Sequence, residues 1–156
     1  MLTNQPDDGA PDHRIGRLGL AIRRAEHAVS GSLGTALREL DLTVTQYGTL
    51  LVLAQSPGLS GAQLARVCQV TPQSMASVLA RLVERGLIAR SPSPVHQKVL
   101  VARLSRTGWS VLRKADRLLQ PTQRHLSGGL AEQDQATLLG YLERIVDRLG
   151  TDQATA

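Results

Sequence analysis

Apolar residues recur at spacings of three and four from Ile15 onward, through Leu18, Ile22, Ala25, Val29, Leu33, Leu37 and Leu40. That is the period of an amphipathic helix, and it predicts a long first helix in which Gly31 and Gly34 are the points for a bend or an interruption. Three short helices then declare their own starts. Thr43-Val-Thr-Gln46 and Ser60-Gly-Ala-Gln63 have the form of capping boxes, in which a hydroxyl takes the third amide of the helix and the Gln side chain reaches back. Leu42 with Tyr47, and Leu59 with Leu64, stand at the positions of hydrophobic staples. Thr71-Pro72 starts the third, because proline at the first helical position gives up no needed hydrogen bond, and Gly86 ends it. Only the residues around Cys68 to Val70 are left to join the second and third short helices, the pattern of a helix-turn-helix.

Two β-prone runs follow, Leu87 to Arg90 and Lys98 to Leu104, separated by the Pro-broken stretch Ser91 to Gln97, and they predict a hairpin. Ser105 is placed to cap a helix containing Trp109, Leu112, Ala115 and Leu119, which Pro121 is expected to kink or break. In the last helix Leu138, Leu139, Leu142, Ile145, Val146 and Leu149 form one stripe. Burying four or five such side chains is worth roughly 1.5 to 3 kcal/mol each, so the stripe, helped by Leu126 and Leu130, calls for a partner surface. That surface is either the first helix of the same chain or the equivalent helices of a second subunit.

Composition sharpens this picture. Among 156 residues the only aromatics are Tyr47, Trp109 and Tyr141, so the core is aliphatic, and its Leu and Ala content favours helices. The expected fold is mainly α with a small β-hairpin wing. The net charge of +5 is concentrated: from Leu42 to Ala115 nine basic residues face one acid, Glu84, a local charge of +8. Such a concentration is the footprint of a polyanion-binding module. The opening segment, with Asp7, Asp8 and Asp12, lacks the features of a secretory signal, and no apolar run approaches membrane-spanning length, so a cytoplasmic protein without a membrane partner is expected. A single cysteine, Cys68, excludes an intrachain disulfide and a multi-thiolate metal site. Catalysis has no support: there is no phosphate-cradling glycine loop, zinc-protease His pair or nucleophile elbow. His13, His27, His96 and His125 are scattered, and neither a metal nor a cofactor is expected.

The order of elements, with Leu42-Thr-Val-Thr-Gln46, Gln63-Leu-Ala-Arg66, Val70-Thr-Pro-Gln-Ser-Met75, Leu79-Ala-Arg-Leu-Val-Glu-Arg-Gly-Leu-Ile88 and Leu104-Ser-Arg-Thr-Gly108, resembles the multiple-antibiotic-resistance regulator (MarR) family from about residue 13 onward. The resemblance implies a cytoplasmic transcriptional repressor, homodimeric through interlocking terminal helices, with a winged helix-turn-helix on each side. It divides the chain into a disordered tail (1–12), a helical dimerisation region (13–41 and 105–150) and a winged DNA-binding domain (42–104). One feature departs from the family: where many members carry Asp-x-Arg at the wing, this chain has His96-Gln97-Lys98.

With Met75, Val78, Leu79 and Leu82 turned to the core, Gln73, Ser74 and Ser77 face outward near the start of their helix, beside Thr71 and Pro72. Gln pairs bidentately with adenine and Ser contacts bases or phosphate, so these are the candidates for reading double-stranded DNA. Arg66, Arg81, Arg90, His96 and Lys98 are candidates for phosphate or minor-groove contact, which sets affinity more than specificity. Leu126, Leu130, Leu138, Leu142, Ile145 and Leu149 are candidates for the dimer interface. A symmetric dimer places two reading helices about 34 Å apart and predicts a palindromic operator.

The resemblance further implies a small-molecule pocket between the dimerisation region and the reading lobe, with His27, Tyr47, Trp109 and Arg113 as candidate contacts to an aromatic or phenolic effector. Two alternatives stand beside the repressor. A nonspecific architectural DNA-binding protein has the same charge and fold. A redox-sensing regulator acting through Cys68 is the other, against which stand the expected burial of the thiol and the position near the first helix where oxidant-sensing relatives carry their cysteine.

Overall fold

In the computed structural model, which describes residues 14–153, the helices begin where the capping residues place them. The first helix, α1 (Arg14–Leu37), runs through Gly31 and Gly34 without interruption and ends in a single 3-10 turn, Arg38–Leu40. Asp41 closes that turn in the left-handed region at φ 51°. Helix α2 (Val44–Gln55) starts at a complete capping box: the Gln46 amide donates to Thr43 Oγ1 at 3.1 Å and the Thr43 amide to Gln46 Oε1 at 3.0 Å. Helix α3 (Gly61–Val67) repeats it through Ser60 and Gln63. Helix α4 (Pro72–Glu84) has Thr71 as cap, whose Oγ1 accepts the Ser74 amide at 3.1 Å. The tight connection from α3 to α4 is closed by the Val70 amide on the Ala65 carbonyl, with Gln69 left-handed at φ 53°.

The hairpin forms, with different limits from those expected. Strand β2 is Ile88–Pro92 and β3 is Leu100–Leu104, so Ser91 and Pro92 belong to the strand and Lys98 to the loop. Pro92 pairs with Leu100 at the end of an edge strand, where its missing N–H costs no ladder bond. A further strand, β1 (Leu59–Ser60), was not foreseen; it pairs antiparallel with β3 and gives the sheet order β1-β3-β2.

Helix α5 (Arg106–Ser127) continues through Pro121, so of the expected kink or break the break does not occur. A proline removes one backbone bond, and α5 lies packed against α1, where Ser32 Oγ and Thr122 Oγ1 meet at 3.1 Å beside the proline. At the other end of α5, Gly108 is a close approach: a Cβ there would stand 2.0 Å from the Leu87 carbonyl oxygen. The last helix is α6 (Glu132–Gln153).

One aliphatic core joins α1, α2, α3, α4, the sheet and α5, centred on Leu37, Leu50, Leu53, Leu64, Met75, Leu79, Leu82 and Leu119, all essentially without solvent contact. Its fully buried polar side chain, Thr49, donates to the Thr45 carbonyl at 2.8 Å. Among the described residues, helix α6 contributes nothing to this core. The expected tail, 1–12, lies outside the described residues.

Candidate nucleic-acid interface

The sequence of α4 sorts itself by periodicity into two faces. Met75, Leu79 and Leu82 are buried and Val78 is half-buried, while Gln73, Ser74 and Ser77 are exposed together at its N-terminal end. The Thr71 hydroxyl donates to Ser74 Oγ at 2.9 Å, leaving the Ser74 proton free to be offered outward. Ser77 Oγ rests on the Gln73 carbonyl at 3.3 Å. Such an end can present amide, carboxamide and hydroxyl groups to base edges or phosphate oxygens.

Arg66, in the last turn of α3, is exposed beside this end, its carbonyl accepting the Gln69 amide and side chain. Arg90 stands exposed on β2, and His96 and Lys98 are exposed in the loop that joins the hairpin. That loop is organised by Ser93: its Oγ accepts the Val95 and His96 amides at 3.3 Å each, and its own amide donates to the Val99 carbonyl at 2.7 Å. The wing is therefore a preformed support for its cations, and among the described residues no carboxylate is paired with Lys98.

Arg81 is set apart from these groups. It lies in the last turn of α4 and meets Glu84 at 3.5 Å, an exposed pair worth at most about 1 kcal/mol. With Glu84 it lines a cleft of about 600 Å³ together with Arg38, Asp41, Leu42, Thr43, Gln46 and Arg85. Sequence reasoning did not single out Arg85. Its guanidinium donates to the Leu40 carbonyl at 2.8 Å and to the Asp41 carbonyl, tying the end of α4 to the turn that follows α1. The available signal was general: terminal carbonyls of a helical turn need donors, and a fork-shaped cation supplies two.

Of the four candidate effector contacts, Tyr47 is buried, and its hydroxyl donates to Asp116 Oδ1 of α5 at 3.2 Å. Burial first, and then the Asp116 charge and hydrogen bond, push the phenol up to about 12. Trp109 and Arg113 are exposed on α5, and His27 is exposed on α1. None of the four lines the cleft beside Arg85. Cys68 was expected on a buried inner face; it caps the C-terminal end of α3 and is only half-buried, with Thr49 Oγ1 at 3.8 Å.

The apolar stripe of α6 is in the open. Leu138, Leu142 and Ile145 line a groove of about 420 Å³ with Leu18 and Ile22 of α1, so the two helices approach each other. Within the chain that approach does not cover the stripe: Leu139 is 58% and Leu149 62% exposed, and Leu126 and Leu130 are exposed as well. No helix among the described residues is long and apolar enough to cross a membrane.

Comparison with known proteins gives a consistent result. Residues 40–99 match the model of the MarR family. The chain is 32% identical over 135 residues to an HTH-type transcriptional repressor of Mycobacterium tuberculosis, an alignment that spans 86% of this chain and 94% of the relative. It is 24% identical to the multiple antibiotic resistance protein MarR of Escherichia coli, over 83% of this chain and 90% of that one. Among solved structures, Escherichia coli MarR complexed with operator DNA superposes with a TM-score of 0.75 at 23% identity, covering 88% of this chain and 99% of that chain. The transcriptional repressor CouR bound to a 23-mer DNA duplex has a TM-score of 0.76 at 25% identity, covering 86% and 96%.

Proposed function

The chain belongs to the MarR family, and we propose that it is a sequence-specific, homodimeric transcriptional repressor that binds a palindromic operator and is released by a small-molecule effector. The observation that carries the reading is the exposed N-terminal end of α4, where Gln73, Ser74 and Ser77 stand clear of a helix otherwise anchored in the core. In this proposal that end enters the major groove, and Arg66, Arg90, His96 and Lys98 hold the phosphate backbone on either side. The repressor name of the Mycobacterium tuberculosis relative and the DNA duplex bound by CouR support it.

The uncovered stripe on α6, continued by Leu126 and Leu130, supports a second copy of the chain as its partner. Effector release rests on family membership, with an aromatic or phenolic compound near Tyr47, Trp109, Arg113 and His27 as the expected occupant. Tyr47 is the best placed of these to act, since its bond to Asp116 ties α2 of the reading lobe to α5 of the dimerisation region.

The test is binding to the promoter fragment upstream of the protein's own gene, with excess random-sequence competitor and a salt series. Competitor-resistant binding with a protected palindrome is the expected result. Sequence-blind binding overturns it in favour of an architectural DNA-binding protein.

A further inference from the structure

We propose that the cleft between the 3-10 turn, the start of α2 and the end of α4 is a binding site for a small oxyanion, a phosphate or carboxylate group, held by Arg38, Arg81 and Arg85. Three arginines line it against two acidic residues, Asp41 and Glu84, which leaves a net positive site. Its one apolar lining residue is Leu42, so the space suits a charged ligand and not an aromatic ring. Among the described residues, none of the three cations is neutralised by a strong ion pair. Arg38 gives a single hydrogen bond to Thr35 Oγ1 at 3.2 Å, Arg81 meets Glu84 only at 3.5 Å, and Arg85 is bonded to neutral carbonyl oxygens. A charged oxygen is the stronger acceptor for a guanidinium, and each Arg has donors to spare beyond the bonds it makes here.

The same chemistry exists in the DNA backbone, but position favours a free anion. Arg81 and Arg85 lie eight and twelve residues beyond Gln73, which at about 1.5 Å per residue sets them roughly 12 to 18 Å back from the end of α4 that faces the groove. The cleft also shares no residue with the four proposed effector contacts, so it is a separate site. An anion seated in it bridges the end of α1, the start of α2 and the end of α4.

The probe is inorganic phosphate, titrated against the full-length protein with sodium chloride at matched ionic strength as control, and thermal unfolding as readout. Native protein is expected to show a saturable rise in Tm of about 3 to 6 °C at a tenfold excess over Kd. The rise is lost in Arg38→Gln and in Arg81→Gln, both exposed positions whose replacement leaves the core intact. An equal rise in chloride, or an undiminished one in both variants, overturns the site. A second arm compares the salt dependence of DNA binding by native protein and Arg38→Gln. An unchanged slope is expected for a free anion, whereas a slope shallower by about one, without a phosphate response, assigns the cleft to the DNA backbone and overturns the proposal. The phosphate arm needs no DNA, so its outcome holds even where the protein fails to act as a repressor.

Discussion

Ser105 and Gly86 are joined by a hydrogen bond of 2.6 Å, in which the Ser105 hydroxyl donates to the glycine carbonyl while its oxygen accepts the Gly108 amide at 2.9 Å. Ser105 is the cap of α5 and Gly86 the left-handed residue that follows α4, so one side chain fastens the end of α4 to the start of α5. Ser105→Ala removes both bonds and is expected to cost about 1 to 2 kcal/mol, measured by urea unfolding.

Gly108→Ala is expected to be more damaging, at about 3 kcal/mol. The added carbon meets the Leu87 backbone oxygen, which cannot turn aside as a side chain would, and Leu104 Cδ2 stands 3.2 Å away on another side. A midpoint shift without a change of slope in urea identifies the loss as one of stability.

Tyr47 makes a prediction in alkali. Its phenol, ordinarily 10.0, is pushed up to about 12 in the folded chain, so between those values the unfolded chain loses a proton that the folded chain keeps. The contribution is fully present below pH 10 and is lost as pH rises toward 12. Tyr47→Phe is expected to flatten the stability profile in that window and, near neutrality, to cost about 1 kcal/mol for the bond to Asp116.

On DNA, Gln73→Ala is expected to cost about 1 to 3 kcal/mol and to relax preference at one base pair of each half-site. Lys98→Ala is expected to weaken binding to every sequence alike and to make the salt slope shallower by about one. Competition binding with single-substituted duplexes separates the two patterns.

Replacing Leu142 and Ile145 by glutamate places charge in the stripe of α6 without entering the core. Light scattering is expected to show monomers, with a larger loss of affinity for a full palindrome than for a half-site. Dimers of unchanged mass would place the subunit interface elsewhere.

The helix starts at Thr43 and Ser60 were legible as capping boxes, that at Thr71 from the proline after it and that at Ser105 from its hydroxyl, and all four hydroxyls accept the amide three residues on. The outward face of α4 was legible for the same reason, as a local period. Strand β1 was not, since two residues carry no alternation and Leu59–Ser60 become a strand only by pairing with Ala102 and Val101 far along the chain. The extension of β2 to Pro92 was missed because proline reads as a breaker until the strand is known to lie at an edge. That α5 continues past Pro121 was not legible for a related reason: the packing of α1 against α5 has no signature in the local sequence. The Arg85 bonds join positions more than forty residues apart, so the general need of a helical turn for donors does not point to that residue in particular.

The continuity of α5 through Pro121 has a mechanical consequence. Its 22 residues form a rod about 33 Å long at about 1.5 Å per residue, fastened at one end to the residue that follows α4 by Ser105 and bearing Leu126 at the other. A rod of that length that pivots by about five degrees at its far end carries its near end about 3 Å sideways, comparable to the rise of one base pair. In a dimer joined at that far end, a slight change of angle between the subunits would become a sideways shift of α4, with gain set simply by the length of the helix.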